Sequence, residues 1–289
     1  MGLSMNWNQL KYRFQTLTIA EKLIALNVLF FVLPFVLQTL FFLFDYSFAG
    51  VLSWFQLSAD WELVLFRPWT LLTYSFLHSG IFHLFWNMIL LYYSGQLFLN
   101  LLPARTFSNA YFMGVVLGGL VFVISYTLFP VFQGISPYMI GASAGVMSVF
   151  VFISKFTPDQ EVRFIFFNIK LKYLALAFVF MDLIQIPNGN AGGHLAHIGG
   201  AFLGFFYARQ LQKGNDIGAG WGQFWSQIGG WFSPQPKVRK VYKSPNPRRP
   251  SKAAVSQDKI DVILDKISQS GYDSLSKEEK EILFKAGKQ

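Results

Sequence analysis

Met139-Ile140-Gly141-Ala142-Ser143-Ala144-Gly145-Val146-Met147 sets one hydroxyl among small residues at the start of an apolar helix. The loop before it is broken by Gly134, Pro137 and Gly141. The helix expected over 142–155 covers only about two-thirds of a bilayer's hydrocarbon thickness. Its start must therefore lie below one surface, which predicts a recessed Ser143. By itself such a serine is ordinary, because Ser in a membrane helix commonly bonds its own i−4 carbonyl or packs against a neighbour. Gly141-x-Ser143-x-Gly145 also has the spacing of a nucleophile elbow, but that motif needs a strand-turn-helix in a soluble sheet, which this pattern lacks. The two glycines are expected to face away from Ser143 and to serve packing or loop geometry.

The rest of the chain decides what surrounds this serine. The composition is 53% hydrophobic and 13% charged, with 33 Phe, against a usual charged share of about 25%. A water-soluble chain of 289 residues could not cover itself with so few charges. The reading is an all-α polytopic membrane protein. The net charge of +9 collects in a polar tail after about residue 208, which points to membrane orientation and anionic lipid before nucleic acid. Cysteine is absent, so thiol catalysis, disulfides and cysteine metal sites are excluded. Lys11, Arg13 and Lys22 precede the first apolar run, and that polar start does not have the pattern of a signal peptide.

Residues 1–21 read as an amphipathic segment at the membrane surface. Hydrophobic runs then predict spans at about 23–44, from 76–80 to 102, 107–129, 142–155, 173–186 and 194–210, six in all. The connection over 45–68 is too broken to span and too aromatic for an ordinary loop (Trp54, Phe55, Trp61, Phe66), so it is placed in the interface. Gly114, Gly118 and Gly119 are spaced for close helix contact. Residues 157–172 read as a charged loop. The domains expected are an N-terminal segment 1–21, a six-helix membrane domain 22–210, an aromatic then basic Pro-rich linker 211–256, and a small helical hairpin 257–289. In that hairpin Ile260, Ile263, Leu264 and Ile267 form an apolar stripe, and Ser276 with Glu279 a capping box.

Lys and Arg gather in the N-terminus, at 103–106, at 155–172 and in the tail, whereas the alternate loops carry only Arg67. This bias predicts both termini in the cytoplasm. The second, fourth and sixth spans then start on the outer side, and each carries its polar groups near that end: His83 with Asn87, Ser143, and His197. Polar groups at membrane depth are expensive and mark function by default. His83 and Asn87 lie four apart, on one face. His197, Gly200 and Gly204 share another, a small-residue strip that lets a second backbone come close enough for His197 to reach Ser143. A hydroxyl needs such a base at about 2.6–3.2 Å to act as a nucleophile. Asn87, a His83 N–H and the Ser143 backbone N–H are the natural donors to an oxyanion. His78 and His194 are read as helix caps or water ligands. Asp182, a carboxylate within the fifth span, either pairs with a neighbour or is a third polar group, and the sequence leaves open whether it orients His197.

Three segments carry a family resemblance: Phe82-His83-Leu84-Phe85-Trp86-Asn87-Met88, Gly141-Ala142-Ser143-Ala144-Gly145, and Ala196-His197-Ile198-Gly199-Gly200-Ala201-Phe202-Leu203-Gly204. In order and in position they resemble the signature segments of rhomboid intramembrane serine proteases, over roughly residues 20–210. The resemblance implies a Ser143–His197 dyad without an acid, an oxyanion hole using His83 and Asn87, and a first loop half-sunk in the outer leaflet. It also implies cleavage of single-span substrates near the outer end of their transmembrane helix, without metal, ATP or other cofactor. The setting implied is the inner (cytoplasmic) membrane, with the site opening to the periplasmic side. The sequence departs from the family pattern in three places. Ala144 stands where many members have Gly, Trp69-Thr70 replaces a Trp-Arg pair with Arg67 nearby, and Leu99 stands where an acidic residue often closes the second span.

Two other readings compete. One is a non-catalytic rhomboid-like protein that binds membrane clients. The other is a metal or haem protein using His78, His83, His194 and His197, against which no carboxylate or Cys is expected in their layer. The partners expected are single-span membrane proteins and the bilayer, with no nucleic acid, and a cytoplasmic partner for the 257–289 hairpin.

Overall fold

A computed structural model describes residues 6–164, 166–232 and 257–287. The chain divides into two units, Met1–Pro234 and Gln235–Gln289.

The first unit opens with α1 (Trp7–Thr16) and α2 (Ile19–Leu43). Thr18 and Glu21 form a reciprocal capping box that starts α2 a turn before its apolar run. Short helices α3 (Ala49–Leu52), α4 (Trp61–Phe66) and α5 (Thr70–Thr73), with strand β1 (Leu57–Ser58), make up the first loop. Then come α6 (Ile81–Leu101), α7 (Ala104–Leu128), β2 (Tyr138–Met139) and α8 (Ser143–Phe156). Strands β3 (Glu161–Phe164) and β4 (Phe167–Lys170) lead to α9 (Leu171–Gln185), α10 (Ala191–Gln212) and α11 (Gly218–Phe232).

Among the described residues, three stretches are both long and apolar enough to cross a membrane: Ile19–Leu43, Ala104–Leu128 and Leu171–Asn188. The other three expected spans do not meet that measure. α8 has 14 residues, while α6 and α10 dilute their apolar character with His83, Asn87, His194, His197 and glycines.

The core is the packing of α8 between α7 and α10. Small residues bring the backbones together: a Cβ at Gly118 would meet the Ala196 carbonyl oxygen at 2.7 Å, and one at Gly145 would meet Val115 and Tyr111 at 2.7–2.9 Å. The Ser148 hydroxyl donates to the Ala110 carbonyl at 2.7 Å, tying α8 to α7. Toward the C-terminal end of α8 the core is aromatic, with Phe152 against Phe98 at 4.7 Å and against Tyr207 at 5.1 Å between ring centres. That floor leaves the N-terminal end of α8 for polar groups.

The first loop is folded rather than merely interfacial. Leu57, Ala59 and Val64 are buried, and β1 pairs antiparallel with β2, Leu57 opposite Met139. Its outer side is pinned by aromatics. The Trp69 indole N–H donates to the Trp54 carbonyl at 2.8 Å, and the Arg67 guanidinium lies 4.1 Å over the Trp54 ring. Arg67 and Trp69 thus anchor this loop in place of an adjacent Trp-Arg pair.

The expected loop at 157–172 contains a β-hairpin, with Glu161 opposite Lys170 and Phe164 opposite Phe167. Asp159 accepts from Lys172 at 2.7 Å and Lys170 at 3.2 Å, and these ammonium groups hold its carboxyl below the usual carboxylate range. Beyond α10, Asn109 donates to the Gly218 carbonyl and Tyr207 to Asp216, which fixes the start of α11.

In the second unit α12 (Gln257–Ser270) and α13 (Lys277–Ala286) form a helical pair. Ser276 and Glu279 make the capping box. Ile263 and Leu275 are buried, but Leu264 is 49% exposed, so the apolar stripe is narrower than the sequence suggests. The 233–256 part of the linker lies outside the described residues.

Candidate active site

Ser143 is the first residue of α8, and the chain reaches it through a sharp backbone turn. The Gly141 N–H donates to the Tyr74 carbonyl at 3.0 Å, and Gly141 takes φ +133°, a region L-residues avoid. A Cβ there would also stand 2.8–2.9 Å from the His83 ring and 3.6 Å from Ser143 Oγ. Gly141 therefore faces the serine instead of facing away, and its bare backbone makes room for His83. Gly145, by contrast, points at α7. As the first residue of a helix, Ser143 also has a backbone N–H with no partner in the turn below.

α10 crosses α8 at backbone contact. A Cβ at Gly200 would collide with the Ala144 carbonyl oxygen, and one at Gly204 with the Ser148 carbonyl oxygen. One turn toward the N-terminus from Gly200, the same face carries His197, whose Nε2 lies 2.6 Å from Ser143 Oγ. This length is normal for a strong hydrogen bond to a hydroxyl. Ser143 and His197 are both partly accessible, so the pair is recessed without being sealed.

α6 brings His83 to the same region, with Asn87 one helical turn further along the same face. The Ser79 hydroxyl lies 3.1 Å from His83 Nδ1, which leaves Nε2 on the side of Gly141 and the serine. Asn87 donates one amide hydrogen to the His83 carbonyl at 2.8 Å, within its own helix; an amide nitrogen carries a second. His78 is buried with its ring 5.0 Å from that of His83.

The structure brings Asp182 and His194 into the site; the sequence leaves open whether Asp182 orients His197 and gives no sign of its pairing with His194. Asp182 Oδ1 lies 2.8 Å from His197 Nδ1 and 2.8 Å from His194 Nδ1. His194 is therefore a carboxylate partner rather than a helix cap, and a carboxylate does sit in the histidine layer. The sequence signal for Asp182 was present, one acid in an otherwise apolar helix. Its partners lie 12 and 15 residues away across a turn, a distance no helical periodicity spans.

Among the described residues, Asp182, His194 and His197 also form the one group of three His, Asp or Glu placed to hold a metal, one ligand atom from each lying within 4.8 Å of the others. The 2.8 Å separations, however, are those of N–H···O bonds.

At the start of α8 a hydroxyl is hydrogen-bonded to an imidazole that is in turn bonded to a carboxylate, all set among apolar helices. Residues 66–213 match the description "Rhomboid domain", and residues 251–288 match a family of unknown function, DUF6576. The chain belongs to the rhomboid family, and with its apolar helices it is a multi-pass membrane protein. None of the curated proteins matches it.

Proposed function

We propose that this protein is an intramembrane serine endopeptidase that cleaves transmembrane segments of single-span membrane proteins near their outer end. The observation that carries the reading is the 2.6 Å approach of His197 Nε2 to Ser143 Oγ in a chain of the rhomboid family. In this reading the membrane domain is 22–210. α6, α8 and α10 complete six spans with α2, α7 and α9, sheltered from lipid where they carry polar groups. The basic loops and both termini lie in the cytoplasm of a cell whose inner membrane holds the protein, and the site opens outward under the first loop. The bilayer is a partner in its own right, nucleic acid is not, and the 257–289 hairpin is left for a cytoplasmic partner.

The chemistry follows from the atoms present. Ser143 Oγ bonds to the scissile carbonyl carbon while its proton passes to His197 Nε2. The carbonyl oxygen becomes an oxyanion, facing the Ser143 N–H, the His83 imidazole and the second Asn87 amide hydrogen. Collapse breaks the C–N bond, and the leaving amine takes the proton from Nε2. Water then attacks the ester and gives a proton to Nε2. That proton returns to Oγ as the acid product leaves. No metal, redox partner or nucleotide enters the balance. Gly200 and Gly204 act only by letting α10 reach α8.

The convergence of Asp182, His194 and His197 supports one other reading, a bound cation, and one experiment separates the two. Purified wild type should label with a fluorophosphonate and cut a generic transmembrane substrate, with both lost in Ser143→Ala and in His197→Ala and neither sensitive to EDTA. Activity that EDTA removes and that survives Ser143→Ala would favour the cation. Client binding without labelling in any form would favour a non-catalytic escort.

A further inference from the structure

The resemblance implies a dyad with no acid, but the geometry contains one. We infer that Asp182 is a positioning residue for His197, so that the base of this protease works within a Ser143–His197–Asp182 relay of hydrogen bonds. The inference rests on the proposed protease reading and deepens it.

Three observations carry it. First, His197 uses both ring nitrogens on one line: Nε2 to Ser143 Oγ at 2.6 Å and Nδ1 to Asp182 Oδ1 at 2.8 Å. A carboxylate only accepts, so Nδ1 holds the proton and Nε2 keeps its lone pair for the serine. Asp182 thereby selects the one tautomer in which His197 can serve as a base. Second, Asp182 is 8% exposed on a helix whose only other buried residues are Leu171 and Ala175. A carboxylate turned inward from an otherwise outward-facing apolar helix needs compensation, and the two imidazoles supply it. Third, His194 Nδ1 donates to the same oxygen at 2.8 Å. Two donors on one oxygen fix the rotation of the carboxylate, so that its lone pair meets His197 in a set direction.

The consequence for the reaction is electrostatic. When Nε2 takes the serine proton, an imidazolium forms in a recessed site that is only partly open to water. The carboxylate 2.8 Å from Nδ1 lies where that charge develops. The proton on Nδ1 stays there throughout, and Asp182 orients and compensates without taking it.

The test uses the full chain in detergent with a transmembrane substrate, comparing wild type, Asp182→Asn and Ser143→Ala. Asp182→Asn keeps shape and an acceptor but removes the charge. The expected result is a fall in kcat of about 10²-fold, with KM within threefold of wild type and the thermal midpoint little changed. A kcat within threefold of wild type would overturn the inference while leaving the protease reading intact. An inactive wild type would overturn the protease reading itself. Should Asp182→Asn fail to fold, histidine 15N spectra of the wild type decide, with the His197 signals assigned through His197→Gln. A proton on Nδ1 with Nε2 bare is the expected tautomer. A proton on Nε2 with Nδ1 bare would overturn the inference.

Discussion

α8 and α9 are nearly the same length, 14 and 15 residues, and both are apolar and both pack against α10. They are nevertheless built in opposite senses. α8 buries eleven of its residues, among them Gly145, Ser148 and Ser154. α9 buries three, one of them Asp182, and leaves Leu176, Phe180 and Leu183 more than half exposed. In α8 small and hydroxylated residues lie inside because they let backbones touch and find carbonyls there. In α9 the large apolar side chains point outward, as suits a lipid-facing helix, and the acid points inward to partners. Burial in this protein follows what each group can bond or pack against, not hydropathy alone.

The contrast can be broken most sharply at the α8–α10 crossing. Gly204→Val puts a branched side chain into the Ser148 carbonyl. It should cost about 3 kcal/mol or more and abolish cleavage, read as a lost thermal transition in detergent. A folded, active Gly204→Val would mean that the crossing is looser than described. Gly141→Ala comes next. Its φ of +133° and the His83 ring at 2.8 Å both oppose a methyl group, so cleavage should fall about tenfold or more, with a stability loss of about 1–2 kcal/mol. Activity at the wild-type level would remove Gly141 from the site. Ser148→Ala deletes one buried bond to the Ala110 carbonyl and should cost about 1 kcal/mol in thermal stability, leaving kcat nearly unchanged. The smallest effect belongs to α9: Leu176→Ala, at a residue 66% exposed, should shift stability by no more than about 0.5 kcal/mol. If Leu176→Ala cost as much as Ser148→Ala, the comparison between the two helices would fail.

The same comparison shows what could be read in the sequence. Helices announced themselves by apolar runs, and the expected ends fall within a few residues of α2, α7, α8 and α9. Gly114, Gly118, Gly200 and Gly204 were legible as contact residues because small residues recur on one helical face. His83, Ser143 and His197 stood out as polar groups in apolar surroundings. What was hidden depends on parts of the chain distant in sequence. β1 pairs with β2 some eighty residues on, so the order of the first loop leaves no local trace. The 161–170 hairpin is short and charged, and its strands carry only four residues each. For Gly141 the sequence predicts packing or loop geometry facing away from Ser143, since nothing in the stretch reveals that α6 delivers His83 against it. Asp182 is visible as an anomaly that could orient His197, but only the fold, which returns α10 past α9 through the turn at Asn190 with its positive φ of 50°, puts the two side chains together.

The proposed chemistry is hydrolysis of a peptide bond within the membrane by Ser143 and His197. Its most direct test is proteoliposomes that hold the full chain and a single-span substrate, with products read by mass spectrometry. Wild type should make one cut near the outer end of the substrate's transmembrane helix, and Ser143→Ala and His197→Ala none. The same cut persisting in Ser143→Ala would contradict it.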